Sequence, residues 1–193
     1  MDSRPPDFQA LIAELTRELE HDGLPFMLIG GQAVLLHGRP RLTEDIDVTL
    51  GADPSRLPDV LAVCVRLRLT PLPADVAAFI ADTFVLPARH DGSGIRVDFI
   101  FSTTEYERQA IARAVRVEMA GVRVPFATAE DLVIHKVFAG RPRDLEDARM
   151  VVERQGSALD WPYIEHWGKA FAEVPGREAM PATLIALKTR RMT

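Results

Sequence analysis

The spacing of apolar residues divides the chain into amphipathic helices and short strands. Residues 6–20 carry apolar side chains at helical intervals, which predicts a helix packed on a core. An apolar run over residues 26–29 predicts the first strand, which ends at two glycines, and the pattern then indicates a short helix over 32–37. A second extended run follows and contains Asp45-Ile46-Asp47. This alternation of helices and strands is typical of an α/β protein.

The rest of the chain continues the alternation. The further predicted elements are helices over 53–69, 74–81, 104–113, 128–139 and 142–154, strands over 83–88 and 95–101, a hairpin over 115–126, and an amphipathic segment over 161–171. We predict a mixed, twisted sheet flanked by helices in a domain over residues 1–155, with a helical C-terminal extension over residues 156–193 packed on it. The last residues, Lys188, Arg190 and Arg191, are predicted to form a basic tail.

Composition narrows the class of protein. With 193 residues, 47% hydrophobic and 26% charged, the chain is typical of one soluble globular domain with at most a small appended part. It contains no apolar run of membrane-spanning length and no secretion signal, so we expect a cytoplasmic protein without a membrane partner. The net charge of −5 gives no general attraction for nucleic acid, so a polynucleotide would need a local basic patch. The single cysteine, Cys64, lies in an apolar helical pattern and is predicted to be a core residue.

The extended run with two aspartates carries the candidate chemistry. Side chains alternate along a strand, so Asp45 and Asp47 share one face while Ile46 lies on the other. Two neighbouring carboxylates repel each other unless a cation compensates them, and oxygen ligands suit Mg²⁺ or Mn²⁺. Gly30 and Gly31 lie at the junction of a strand and a helix, where free N–H groups can hold phosphate.

These residues resemble the signature of the nucleotidyltransferases of the DNA polymerase β superfamily. That signature is Gly-Gly or Gly-Ser, about ten to thirteen residues, Asp-x-Asp, and a third carboxylate on a later strand. Here thirteen residues separate Gly31 from Asp45, and Asp98 lies in a strongly apolar strand. Gly31 departs from the Gly-Ser form, which removes a hydroxyl that some members point at phosphate but leaves the backbone donors. The resemblance implies the nucleotidyltransferase fold.

The resemblance also implies roles for individual residues. Asp45, Asp47 and Asp98 would bind the metal ions, with Asp98 as a possible base. The nucleoside triphosphate (NTP) would be bound by the two glycines and by residues of the turn before the aspartates; these residues are Gly30, Gly31, Arg41 and Thr43. Two alternatives stay open: Asp98 could pair with a neighbouring arginine, and the loop residues Arg39 and Arg41 could be solvated.

A second motif lies near the C-terminus. Lys136 in a helix, followed by Arg141, Arg143, Asp144 and Asp147, is similar to the distal motif of AbiEii-type and related minimal nucleotidyltransferases. Asp144 and Asp147 are three residues apart and so share a helix face. By the resemblance, Lys136 would neutralise charge on the leaving pyrophosphate, and the two aspartates would belong to the nucleotide site. The alternative is a solvated helix start with acids near its positive end.

The function implied is metal-dependent transfer of a nucleoside monophosphate (NMP) from an NTP to a hydroxyl. The acceptor could be RNA such as a tRNA end, a protein side chain, or a small molecule. The distal motif favours the toxin of a toxin–antitoxin system, with a possible antitoxin partner. The alternatives are an aminoglycoside-type antibiotic nucleotidyltransferase and a catalytically inactive nucleotide-binding or interaction protein of the same fold.

Overall fold

The computed structural model describes residues 7–39 and 42–190 of the chain. These residues divide into two compact units. The first comprises the chain up to Gln32 together with Thr43–Phe126, and the second comprises Ala33–Leu42 together with the chain from Ala127. The division into a domain over 1–155 and an extension over 156–193 stays a prediction.

One mixed sheet forms the centre of the first unit. Its strands are β1 (Phe26–Leu28), β2 (Asp45–Leu50), β3 (Leu69–Pro71), β4 (Val85–His90), β5 (Arg96–Phe101), β6 (Val115–Met119) and β7 (Val122–Phe126). They lie in the order β3-β4-β5-β2-β1-β7-β6. The pairs β2–β5 and β1–β7 are parallel and the other neighbours are antiparallel. The predicted mixed α/β fold is confirmed.

Helices surround this sheet. They are α1 (Phe8–His21), α3 (Leu57–Arg66), α4 (Val76–Thr83) and α5 (Glu105–Arg113), while α2 (Gly30–His37) directly follows β1. The apolar face of α1 buries Leu11, Ile12, Leu15 and Leu19, as the helical spacing predicts. The hydroxyl of Thr104 accepts a hydrogen bond from the N–H of Glu107 and so caps α5, which begins where the sequence predicts a helix.

The described part of the second unit is helical. It contains α6 (Ala129–Ala139), α7 (Pro142–Gln155), α8 (Trp161–Phe171) and α9 (Met180–Arg190). Gly140 ends α6 in the left-handed conformation, and Pro142 begins α7, where its missing N–H costs nothing.

Helix α9 corrects the prediction of a basic tail. Met180 and Leu184, four residues apart, are both buried, and Leu184 packs against Gly168 so closely that a Cβ there would lie 2.3 Å from Leu184 Cδ1. This apolar pair anchors one face of the helix, so that Lys188 lies in a helix. Arg191 lies outside the described residues.

A short edge strand was also not predicted. The helix expected to reach Leu69 ends at Arg66, and Leu69 instead pairs with His90 at the start of β3. The intervening Arg68 has a φ of 52°, which helical residues do not adopt. A three-residue strand that contains proline leaves no periodic pattern, so only its pairing with β4 defines it.

Two smaller expectations can be compared with the fold. Cys64 is 1% exposed, which confirms a core position, and burial raises the pKa of its thiol to about 12. Among the helices of the described residues, none has the length and apolar character needed to cross a membrane.

Candidate active site

Strand β2 presents Asp45 and Asp47 on one face of the sheet. Ile46 and Val48 between and beyond them are fully buried on the opposite face, whereas both aspartates remain half-buried. The alternation inferred from the sequence is therefore confirmed. The buried residues hold the strand in register, so the two carboxylates leave a fixed backbone.

Strand β5 brings the third carboxylate to the same face. It runs parallel to β2 with Asp47 opposite Asp98 and Asp45 opposite Arg96. Val97 and Phe99 on its other face are fully buried. The structure thus places the three predicted metal ligands on one face of two neighbouring strands. We call this set, Asp45, Asp47 and Asp98, the carboxylate face.

Arg96 places a positive charge on the same face. Its Nε donates a hydrogen bond to Oδ1 of Asp98 at 2.7 Å. This bond raises the pKa of Arg96, and the charges of Asp98, Asp45 and Asp47 raise it further against the lowering effect of burial. The arginine partner considered for Asp98 is therefore present. The sequence alone did not say which arginine this would be, although the position of Arg96 two residues before Asp98, on the same face of a strand, was the available signal.

The two glycines lie beside the carboxylate face. Helix α2 begins at Gly30, which has a φ of +62°. A Cβ at Gly30 would lie 1.7 Å from Oδ2 of Asp47. The first N–H groups of a helix have no partner within it and suit an anion, so the start of α2 can hold phosphate next to Asp47.

Thr43 explains the second glycine. A Cβ at Gly31 would lie 2.1 Å from Oγ1 of Thr43, so Thr43 fills the space that a side chain at residue 31 would need. The same hydroxyl donates a hydrogen bond to Oδ1 of Asp45 at 3.0 Å. In the Gly-Ser form a serine hydroxyl would lie at residue 31. In this chain the hydroxyl of Thr43, from the loop before β2, lies there instead.

The carboxylate face fits a hard divalent cation by its chemistry. Its donors are all carboxylate oxygens, which Mg²⁺ and Mn²⁺ prefer. The carboxylate of Asp47 occupies the space that a Cβ at Gly30 would need, so the backbone at the start of α2 lies directly against this donor. Across residues 7–39 and 42–190, however, no three His, Cys, Asp or Glu side chains are gathered closely enough to hold a metal ion as they stand. The hydrogen bond from Arg96 to Asp98 is one contact that metal binding would have to exchange.

The second unit gathers the distal motif into a buried ion-pair network. Nζ of Lys136 lies 2.8 Å from Oδ1 of Asp144 and 2.9 Å from Oδ2 of Asp147. The carboxylates are 3% and 1% exposed as residues, so the alternative of a solvated helix start does not hold for them. Burial alone would raise the pKa of Asp144, but hydrogen bonds from Arg141 and Lys136 hold it below its ordinary value. The predicted contact of Lys136 with a triphosphate stays a prediction.

Helix α7 also holds the segment after α2. Arg154 donates a hydrogen bond to the carbonyl of Gly38, and Arg143 donates one to the carbonyl of Leu42 at 3.3 Å. Arg39 pairs with Glu153 at 3.4 Å but remains largely exposed, which leaves it open to solvent. The other loop arginine, Arg41, lies outside the described residues. Sequence reasoning missed the contact of Arg154 because it joins residues 116 positions apart.

The fold is similar to those of solved nucleotidyltransferases. The chain is similar in structure to the lincosamide antibiotic adenylyltransferase LnuA, with a TM-score of 0.51 and 14% identity over 77% of this chain and 98% of that one. It is also similar to an antigenic nucleotidyltransferase-like protein from Paracoccidioides brasiliensis, with a TM-score of 0.51 and 13% identity over 91% of this chain and 92% of that one. At such identities the likeness shows the fold alone.

The family assignment comes from the sequence as a whole. Residues 13–191 match the family described as nucleotidyl transferase AbiEii toxin, type IV TA system. The chain therefore belongs to the AbiEii nucleotidyltransferase toxin family, as its two motifs predict. No curated protein matches the chain.

Proposed function

We propose that this nucleotidyltransferase transfers an NMP from an NTP to a hydroxyl group in a reaction that depends on Mg²⁺ or Mn²⁺. The observation that supports the proposal is the carboxylate face beside the strand–helix junction. Asp47 and Asp98 lie opposite each other on parallel strands, and the missing side chain of Gly30 lets the start of α2 lie directly against the carboxylate of Asp47. An anionic triphosphate and a hard cation could therefore be bound side by side.

The roles of the residues follow from this arrangement. Asp45, Asp47 and Asp98 would hold the metal ions, which when bound stabilise the charge on the attacking and leaving oxygens. Thr43 orients Asp45 through its hydroxyl, since it donates to Oδ1 of that carboxylate. Gly30 and Gly31 would bind the triphosphate through backbone N–H groups at the start of α2. Asp98 would accept the proton of the acceptor hydroxyl at a carboxylate oxygen.

The role proposed for the distal motif is in binding the triphosphate. Lys136 carries a charge that would stabilise the departing pyrophosphate, and Asp144 and Asp147 hold its Nζ at 2.8 and 2.9 Å. Two carboxylates around one lysine restrict its rotamers. We propose that the aspartates keep Lys136 in position, whereas Arg41 and Thr43 contribute to binding of the triphosphate.

The setting we propose is a toxin with a cognate antitoxin. The family is described as the toxin of a type IV toxin–antitoxin system, which supports this choice over an antibiotic-modifying enzyme. NTPs are held inside the cell, so the reaction would take place in the cytoplasm. The acceptor would be RNA such as a tRNA end, a protein side chain or a small molecule. The labelling experiment below tests each of these acceptors.

The test uses the position of a radioactive phosphate. The protein is incubated with Mg²⁺ and each NTP labelled at either the α- or the γ-phosphate, together with total RNA, a protein extract or an aminoglycoside. Transfer of an NMP places the α label on one acceptor and releases the γ label as pyrophosphate. Label from the γ position on an acceptor, or no transfer of α label from any NTP to any acceptor, would contradict the proposal.

A further inference from the structure

The carboxylate face contains its own cation. Arg96 is the residue opposite Asp45 in the β2–β5 register, and its Nε is bonded to Oδ1 of Asp98. Asp98 is thus occupied by an arginine on the face where the proposed function requires a metal ion.

We propose that Arg96 is the built-in counter-ion of the carboxylate face, that it competes with the divalent cation for Asp98, and that it thereby sets the metal affinity of the site. This inference rests on the proposed metal site and adds a positioning residue to it. Arg96 would hold Asp98 when metal is scarce and leave it when metal binds.

The exposure of the two side chains permits both states, with Arg96 either bonded to Asp98 or turned away into solvent. The side chain of Arg96 is 46% exposed, whereas that of Asp98 is 15% exposed. The guanidinium can therefore move into solvent without disturbing the core, while the carboxylate stays on the sheet. Residues two apart on a strand share a face, so the contact needs no change in the backbone to form or break.

The charges make the two states exclusive. Asp45, Asp47 and Asp98 together carry three negative charges, and their proximity is unfavourable without a cation. A guanidinium on Oδ1 of Asp98 supplies one positive charge. A divalent ion on the same oxygen would be repelled by that guanidinium, so binding of the ion requires Arg96 to leave.

Arg89 provides a matched control. It lies opposite Arg96 on the neighbouring strand β4, so it carries the same charge at a similar place in the sheet. Its Nη1 donates to the carbonyl of Gly94 at 3.0 Å, which is a contact outside the carboxylate face. Removal of Arg89 therefore tests the general effect of a lost positive charge.

The experiment measures binding of Mn²⁺ without any substrate, from the loss of the electron paramagnetic resonance signal of the free ion. Wild type, Arg96→Gln, Arg89→Gln and Asp47→Asn are titrated after circular dichroism has verified their fold. We expect Arg96→Gln to bind Mn²⁺ roughly three- to tenfold more tightly, Arg89→Gln to match wild type within about twofold, and Asp47→Asn to bind far more weakly.

A double-mutant cycle separates competition from simple electrostatics. In an Asp98→Asn background, Arg96→Gln should lose most of its effect on Mn²⁺ affinity, because Arg96 acts through that carboxylate. Equal Mn²⁺ affinity of wild type and Arg96→Gln, with binding still dependent on Asp47, would overturn the role of Arg96 and leave the metal site standing. Absence of Mn²⁺ binding in both proteins would overturn the metal site and this inference together.

Discussion

A Cβ atom at Gly30 would lie 1.7 Å from Oδ2 of Asp47, so the strand–helix junction and the central carboxylate of the site are built against each other. The backbone of Ile29 strengthens this relationship, since its N–H donates to the carbonyl of Asp47 at 3.0 Å. Any side chain at residue 30 would have to displace the carboxylate. The second glycine has the same relationship to Thr43.

The first prediction is that Gly30→Ala damages both the fold and the site. Gly23 is a matched control, because it has the same φ of +62° but no atom within 4 Å of the position that a Cβ would take. Both alanine variants carry the strain of a left-handed residue, about 1–2 kcal/mol. Only Gly30→Ala should lose further stability in urea denaturation and lose NMP transfer. Equal stability and equal transfer in the two variants would show that the close approach to Asp47 does not matter.

The second prediction concerns the buried lysine. The side chains of Lys136, Asp144 and Asp147 are 10%, 4% and 1% exposed, so Lys136→Met would leave two buried carboxylates without their shared cation. We expect a loss of about 3 kcal/mol in the free energy of unfolding. Lys188→Met is the control, since the pair of Lys188 with Glu165 is partly exposed to solvent and its loss should cost much less stability.

A rescue variant tests whether the unpaired carboxylates cause the loss of stability in Lys136→Met. Asp147→Asn combined with Lys136→Met removes one of the stranded charges and should recover part of the lost stability. Lys136→Arg keeps the charge but changes its shape, so stability should be largely retained and transfer only partly retained. If Lys136→Met unfolds at the same urea concentration as Lys188→Met, the network does not stabilise the protein.

The third prediction is a pH dependence of stability. Burial lowers the pKa of His135 to about 4, and the charge of Lys136 lowers it further while that of Asp131 opposes the shift. The unfolded chain takes up the proton near its ordinary pKa of 6.5 and the folded chain only near pH 4. The stability that neutral His135 provides is therefore complete above pH 6.5 and is lost as the pH falls towards 4.

The measurement is urea denaturation at about pH 7.5 and about pH 4.5, on either side of the ordinary histidine pKa. The full shift in the pKa would give a larger effect, but His135 is partly exposed and solvent reduces it. We therefore expect its titration to account for about 2 kcal/mol of the lost stability. Between the two pH values, His135→Gln should lose less stability than wild type, and the difference should equal this contribution. His166→Gln, which changes an exposed histidine, should lose as much stability as wild type. An unchanged pH profile in His135→Gln would assign the acid sensitivity to other groups.

The sequence predicted the fold where local patterns are strong. The hairpin over 115–126 and the helices that begin behind Thr104 and Thr128 lie where expected, because capping boxes and alternation are local signals. It could not predict β3, which only its pairing with β4 defines, or α9, where Met180 and Leu184 form a short apolar face.

The same distinction holds within the candidate site. Asp45 and Asp47 were found because two carboxylates share a short strand, and Asp98 because it interrupts an apolar one. The hydrogen bond of Arg96 to Asp98 depends on the rotamer of a long side chain, which the sequence pattern does not specify. The contact of Thr43 with the space beside Gly31 depends on the path of the loop before β2. Both contacts are visible only in the three-dimensional structure.

The most direct test of the carboxylate face is NMP transfer by Asp47→Asn, with α-labelled NTP and Mg²⁺. Asp82→Asn, which alters an exposed aspartate of α4, is the matched control. We predict that Asp47→Asn loses at least about two to three orders of magnitude of transfer while remaining folded, and that Asp82→Asn and wild type are equally active and are both stopped by EDTA. Near wild-type transfer by Asp47→Asn, or undiminished transfer in EDTA, would contradict a metal-dependent reaction at this face.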